Sequence, residues 1–108
     1  MSKPVHLRQL AAGDIETALV YYLTEAGPDI TTRFIAAVER AILTIGRHPH
    51  QGSLRFAFEL EIPGLRSWPV ARFPYLVFYL EREGQIEIWR VLHTRRDIPT
   101  TLADTDER

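Results

Sequence analysis

Tyr75-Leu76-Val77-Phe78-Tyr79-Leu80, then Glu83-Gly84, then Gln85-Ile86-Glu87-Ile88-Trp89-Arg90-Val91-Leu92-His93, is the stretch that decides the fold. The first run is apolar, rich in aromatics and of strand length. Glu83-Gly84 supplies a turn. Beyond it Ile86, Ile88, Arg90 and Leu92 alternate with Glu87, Trp89, Val91 and His93, the two-residue period of a pleated strand. Two such runs around a tight turn predict a β-hairpin.

Upstream of the hairpin the pattern stays extended. Leu65 to Ala71 reads as a strand that Pro69 demotes towards an edge, because proline has no N–H for the ladder. Pro63-Gly64 is a turn. Phe56, Phe58, Leu60 and Ile62 alternate with Ala57, Glu59 and Glu61, which predicts an extended, half-buried segment.

The first half has a different period. Ile15, Ala18, Leu19, Tyr22, Leu23 and Ala26 recur at three- and four-residue spacing, as on an amphipathic helix. Gly27-Pro28 ends it. Phe34, Val38, Ala41, Ile42 and Ile45 repeat the pattern over about residues 28–47, with Pro28 tolerated in the first turn. His48-Pro49-His50-Gln51-Gly52 breaks that helix. So short a link between two amphipathic helices predicts an antiparallel helix hairpin. Val5, Leu7 and Leu10 suit a short opening strand at about residues 4–9. The expected fold is therefore α+β in the order β-α-α-β-β-β: a small antiparallel sheet packed with an N-terminal helix hairpin. One domain spans residues 1–108, ordered over about 4–102, with a polar tail at 103–108 that frays.

Composition bounds the function. With 108 residues, roughly two-thirds of the unfolded chain's surface can be buried in a single two-layer core. The chain has no cysteine, which excludes a disulfide scaffold, a thiolate metal site and a cysteine nucleophile. No apolar run approaches the ~18 residues of a membrane span. Met1-Ser2-Lys3-Pro4 lacks a secretory signal, so the cytoplasm is the expected compartment. A net charge of -1 predicts neither membrane nor nucleic-acid binding from the total alone. Of the 13 basic residues only Lys3 is lysine, and every other is arginine, whose planar fork suits carboxylates and phosphates.

Most site chemistries find no footing. His48 and His50 lie two apart in a loop and His6 stands alone, so no metal is expected. The isolated Gly27-Pro28 and Pro63-Gly64 turns make no phosphate-cradling loop. Ser2, Ser53 and Ser67 lack a nucleophile motif. No cofactor is expected.

Arg90-Val91-Leu92-His93-Thr94-Arg95-Arg96-Asp97-Ile98 resembles the C-terminal motif of ParE-type toxins in the ParE/RelE superfamily. Gly27-Pro28 opening a helix with Arg33-Phe34 and ending at His48-Pro49 agrees, as do Ile62-Pro63-Gly64-Leu65-Arg66 and the aromatic run Tyr75 to Tyr79. The resemblance covers about residues 4–102 and rests on four motifs in order. It implies the toxic half of a type II toxin–antitoxin module, of the kind that serves plasmid stabilisation. It further implies DNA gyrase as the target and a ParD-like antitoxin, itself a DNA-binding dimer that represses the operon, as the neutralising partner. Arg90, His93, Arg95 and Arg96 are then the expected target-binding residues.

RelE-like relatives cleave mRNA on the ribosome, and this is the alternative. Cutting RNA through its own 2′-OH needs groups to move protons and cations on the phosphate. Those enzymes also hold a base on an aromatic near the C-terminus. Here the sheet region has no lysine, and no aromatic follows Trp89. A reduced set remains: Arg72, Arg90 and His93, with Glu59 or Glu61 as bases. A histidine ending a strand also serves as a structural hydrogen-bonder, and Arg72 with Asp97 could form a strut. The chain is therefore read as a binder and not an enzyme.

The helices carry more apolar residues than the sheet needs. Ile15, Ala18, Leu19 and Tyr22, with Phe34, Val38, Ala41 and Ile45, suffice to cover it. Val20, Tyr21, Leu23, Ile35 and Leu43 fall outside those stripes and are the expected antitoxin-binding residues, unless a wide stripe draws them into the core.

Overall fold

Both faces of the predicted hairpin are apolar, so the sheet is covered on both sides. The computed structural model describes residues 2–105. Its elements are β1 (Val5–Leu7), α1 (Gln9–Glu25), α2 (Pro28–Arg47), α3 (Arg55–Leu60), β2 (Arg66–Pro69), β3 (Tyr75–Arg82), β4 (Gln85–His93) and α4 (Ile98–Ala103). Strand order is β1-β4-β3-β2. β2, β3 and β4 form an antiparallel meander, but β1 joins β4 in parallel. The sheet is thus mixed, where the meander alone had suggested an antiparallel one.

The hairpin forms as read, with one change of phase. Phe78 pairs with Arg90 while Tyr79 pairs with Ile88, which leaves Trp89 as an extra residue on β4. Such a bulge flips every later side chain to the other face. Val91 therefore joins Ile86 and Ile88 beneath the helix hairpin, and Leu92 joins Trp89 on the opposite face. A strict alternation had grouped Leu92 with Ile86 and Ile88.

One face carries α1 and α2. Ala18 with Phe34, Val38, Ala41 and Ile45 packs on Val77, Tyr79, Ile86, Ile88 and Val91, and Ile15, Leu19 and Tyr22 are partly buried against them. Gly27, at φ +91°, makes the turn between the helices, and Pro28 opens α2. Rings of Tyr22, Phe34, Phe73 and Tyr75 meet at centroid distances of 5.0–6.3 Å.

The other face carries α3 and α4, neither of which the sequence pattern suggested. Residues 55–60 are helical, correcting the extended reading of Phe56 to Ile62. Phe56 and Leu60 satisfy a four-residue helical spacing as well as a two-residue one, and Ala57 is buried beside Phe56. Phe58, expected half-buried, is 79% exposed because the helix turns it outward. Glu61 closes α3 in the left-handed region at φ +55°, and the Ile62 N–H reaches back to the Ala57 carbonyl at 3.1 Å. The tail expected to fray is anchored at its start: Ala103 ends α4 and Thr105 is buried. Residues 106–108 of that tail lie outside the described residues.

Side chains fix the edges. Ser53 caps the outer edge of β2 through reciprocal backbone bonds with Ser67 at 2.9 and 3.0 Å. Arg8 clasps Glu87 across β1 and β4, which holds that carboxyl below its ordinary pKa. The loop after α2 is pinned by the buried Tyr79 hydroxyl, which accepts from the Gly52 N–H at 3.1 Å and donates to the Pro49 carbonyl at 2.8 Å.

Two glycines give opposite expectations in urea unfolding. A Cβ at Gly13, inside α1, meets nothing within 4 Å, so Gly13→Ala should stabilise by about 1 kcal/mol. A Cβ at Gly52 would overlap the Tyr79 hydroxyl, so Gly52→Ala should destabilise by about 2 kcal/mol.

Candidate functional site

The C-terminal end of β4 and the turn after it hold Arg90, His93, Arg95 and Arg96, the residues singled out for target binding. β1 stops at Leu7, and the Arg8 N–H to Ile88 carbonyl bond of 3.1 Å is its last link to β4. From there on, no strand among the described residues lies beside the outer edge of β4. Asp14 on α1 takes that place. Its carboxylate accepts the Val91 N–H at 2.9 Å and both Nε and Nη2 of Arg90 at 2.8 and 2.7 Å. The remaining arm of Arg90 donates to Thr105 Oγ1 at 3.1 Å. The two side chains are only 11% and 9% exposed. A bidentate pair so far out of water is costly to break, since either partner alone leaves an uncompensated charge. The Arg90 guanidinium, expected from the sequence at the target-binding or catalytic surface, is thus tied to α1 inside the protein.

His93 is half-buried, and its ring meets the Tyr75 ring edge-on at 5.1 Å. Its Nδ1 accepts the Arg95 N–H at 3.0 Å, and its carbonyl accepts the Arg96 N–H at 3.0 Å. It shapes the turn, as the structural reading of a strand-ending histidine anticipated. Asp97 does not pair with Arg72. It caps α4 by accepting from the Thr100 N–H at 3.3 Å and the Thr100 hydroxyl at 2.9 Å. Arg95 and Arg96 project from this hydrogen-bonded turn, exposed, and neither side chain has a hydrogen bond or ion pair among the described residues.

The reduced catalytic set is not assembled. No hydrogen bond or ion pair joins any two of Arg72, His93, Glu59 and Glu61 among the described residues, and Arg90 is held by Asp14. Glu59 pairs with Arg55 at 3.3 Å on α3, and Glu61 is the cap of that helix. Arg72 stands in the β2–β3 loop in the left-handed region at φ +70°, beside a cleft that Arg33 and Arg40 also line. Among the described residues no group of three His, Asp or Glu side chains stands close enough to hold a metal ion.

The five residues expected outside the helix stripes are all at the surface. Val20, Tyr21, Leu23, Ile35 and Leu43 are 40–61% exposed, so a widened core does not absorb them. Sequence reasoning missed Asp14, although its signal was present. It lies three residues after Ala11 and four before Ala18, both buried, and an acid on an apolar stripe needs a buried partner. The Asp97-Ile98-Pro99 start of α4 was likewise legible as a cap followed by an early proline.

Comparison with known proteins agrees with this architecture. The family model described as ParE toxin of type II toxin-antitoxin system, parDE, matches residues 5–98. A solved structure of the chromosomal ParDE TA system from P. aeruginosa is similar with a TM-score of 0.74. The similarity spans 87% of this chain and 98% of that one at 18% identity, a likeness of fold. No curated protein matches the chain.

Asp14→Asn keeps the shape of the carboxylate and removes its charge, so it should destabilise the protein by about 3 kcal/mol in urea unfolding. Replacing Arg95 and Arg96 together by Glu should change stability by less than about 1 kcal/mol. Equal costs for the two changes would contradict the division between a structural Arg90 and an available Arg95-Arg96 pair.

Proposed function

Since the chain belongs to the ParE toxin family of type II toxin–antitoxin systems, we propose that it is a cytoplasmic toxin that inhibits DNA gyrase by protein–protein binding and is neutralised by a ParD-like antitoxin. One observation carries the choice of binding over catalysis: the Arg90 guanidinium is committed to Asp14. A ribonuclease of the RelE type needs cations free to meet a phosphate that gains charge in the transition state. Arg90 would have to abandon a buried carboxylate to serve. His93 has its Nδ1 engaged by the Arg95 N–H as well.

The surface left for a target is the turn after β4. Arg95 and Arg96 stand there side by side on a segment held by His93 and by the Asp97 cap. A basic tip on a hydrogen-bonded turn suits an acidic patch, because little backbone freedom remains there to be lost on binding. The antitoxin is assigned to the helix hairpin, where Val20, Tyr21, Leu23, Ile35 and Leu43 present apolar surface to water. An amphipathic segment laid there would bury it. Among the described residues no helix is long and apolar enough to cross a membrane, which is compatible with the compartment proposed.

Purified protein should block gyrase supercoiling with accumulation of cleaved DNA and leave ribosome-bound mRNA intact. The variant with Glu at both 95 and 96 should be folded and inactive. A codon-specific mRNA cut that disappears in His93→Ala would overturn the reading in favour of the RelE-type activity. Tyr21→Glu and Ile35→Glu should each weaken antitoxin binding by about 2 kcal/mol, the scale of an interface hot spot, without unfolding the toxin. Unchanged affinity in both would move the antitoxin to the sheet side.

A further inference from the structure

Along α2, Arg33, Ala36, Arg40, Leu43 and Arg47 recur at alternating three- and four-residue spacing, and all five are exposed. The stripe is turned away from the buried line of Phe34, Val38, Ala41 and Ile45. It has the spacing of a seam along which a second helix packs lengthwise, with arginine at one seam position and alanine or leucine at the other. Successive arginines stand about 10 Å apart along the axis, from seven residues at a 1.5 Å rise. The side chains of Arg33, Arg40 and Arg47 have no hydrogen bond or ion pair among the described residues. Asp29, one turn ahead on the same side, forms no ion pair with Arg33. Glu39 lies on the flank towards β1, in the cleft that Lys3 also lines.

The β2–β3 loop adds a further guanidinium beside Arg33 and Arg40. Arg72 lines, with Arg33, Ala36, Arg40 and Phe73, a cleft of about 590 Å³ along the first half of the stripe, and no carboxylate among the described residues lines it. Guanidinium groups this close repel one another and gain most from carboxylates, whose geometry they match. The apolar positions between them argue for a protein partner. A phosphate backbone has nothing to place over Ala36 and Leu43, whereas an amphipathic helix has.

We propose that this seam receives an acidic amphipathic helix of the antitoxin, with carboxylates at seven-residue intervals facing Arg33, Arg40 and Arg47. The proposal rests on the toxin–antitoxin reading and refines it, since Leu43 belongs to both surfaces. Charge at seven-residue intervals would set register and partner choice, as it does in paired helices.

The test is a titration of the folded toxin with the ParD-like antitoxin of its own locus at low and high salt. Arg33→Glu combined with Arg40→Glu should weaken binding by roughly tenfold or more and flatten its salt dependence, because exposed charge pairs are screened by salt. An unchanged urea midpoint will show that the variant is folded. Exchanging the facing acids of the antitoxin for arginine should restore binding to this variant and to no other. Wild-type affinity and salt dependence in the double variant would overturn the seam while leaving the antitoxin reading intact. Failure of the antitoxin to bind wild-type toxin would overturn both. A DNA duplex that binds wild type and is lost in the variant would identify a nucleic acid as the occupant and overturn the protein seam.

Discussion

A carboxylate on α1 holds the free edge of β4. β1 is three residues long and covers β4 only from Ile86 to Ile88, and the bulge at Trp89 begins where that cover ends. The Val91 N–H and the Arg90 side chain are left beside each other on an edge that no strand among the described residues completes. Asp14 satisfies both. Because the third arm of Arg90 reaches Thr105, just after α4, one guanidinium joins the helix hairpin on one face to the C-terminal helix on the other. An edge closed by an ion pair is also blunted against pairing with other chains.

This arrangement shapes what the protein can do. The arginine of the last strand faces inward to an acid. What remains outward is surface: the Arg95-Arg96 tip, the exposed apolar residues of the helix hairpin and the arginine line on α2. Each is suited to holding another macromolecule.

The sequence made the hairpin, both long helices and the edge position of β2 legible, because each has a single period and a clear breaker. It misled where two periods coincide. Phe56, Leu60 and Ala57 satisfy a helix and a strand alike, and only packing on Phe78 and Leu92 decides for the helix. The bulge was hidden because Trp89 and Val91 are both apolar, so either phase of β4 reads as half-buried. Arg90 was taken for a surface residue because arginines usually are; its partner is 76 positions away, beyond any local pattern. The five surplus apolar residues were legible for the opposite reason, since counting what one stripe can bury needs only helical geometry.

The coupling between Asp14 and Arg90 tests this account most directly. It is measured by a double-mutant cycle of Asp14→Ala, Arg90→Ala and the pair, each unfolded in urea. A buried bidentate tie predicts a coupling of about 2–3 kcal/mol, with the double variant little worse than either single one. A coupling near zero, with additive losses, would mean that Asp14 does not hold Arg90 and would contradict the account.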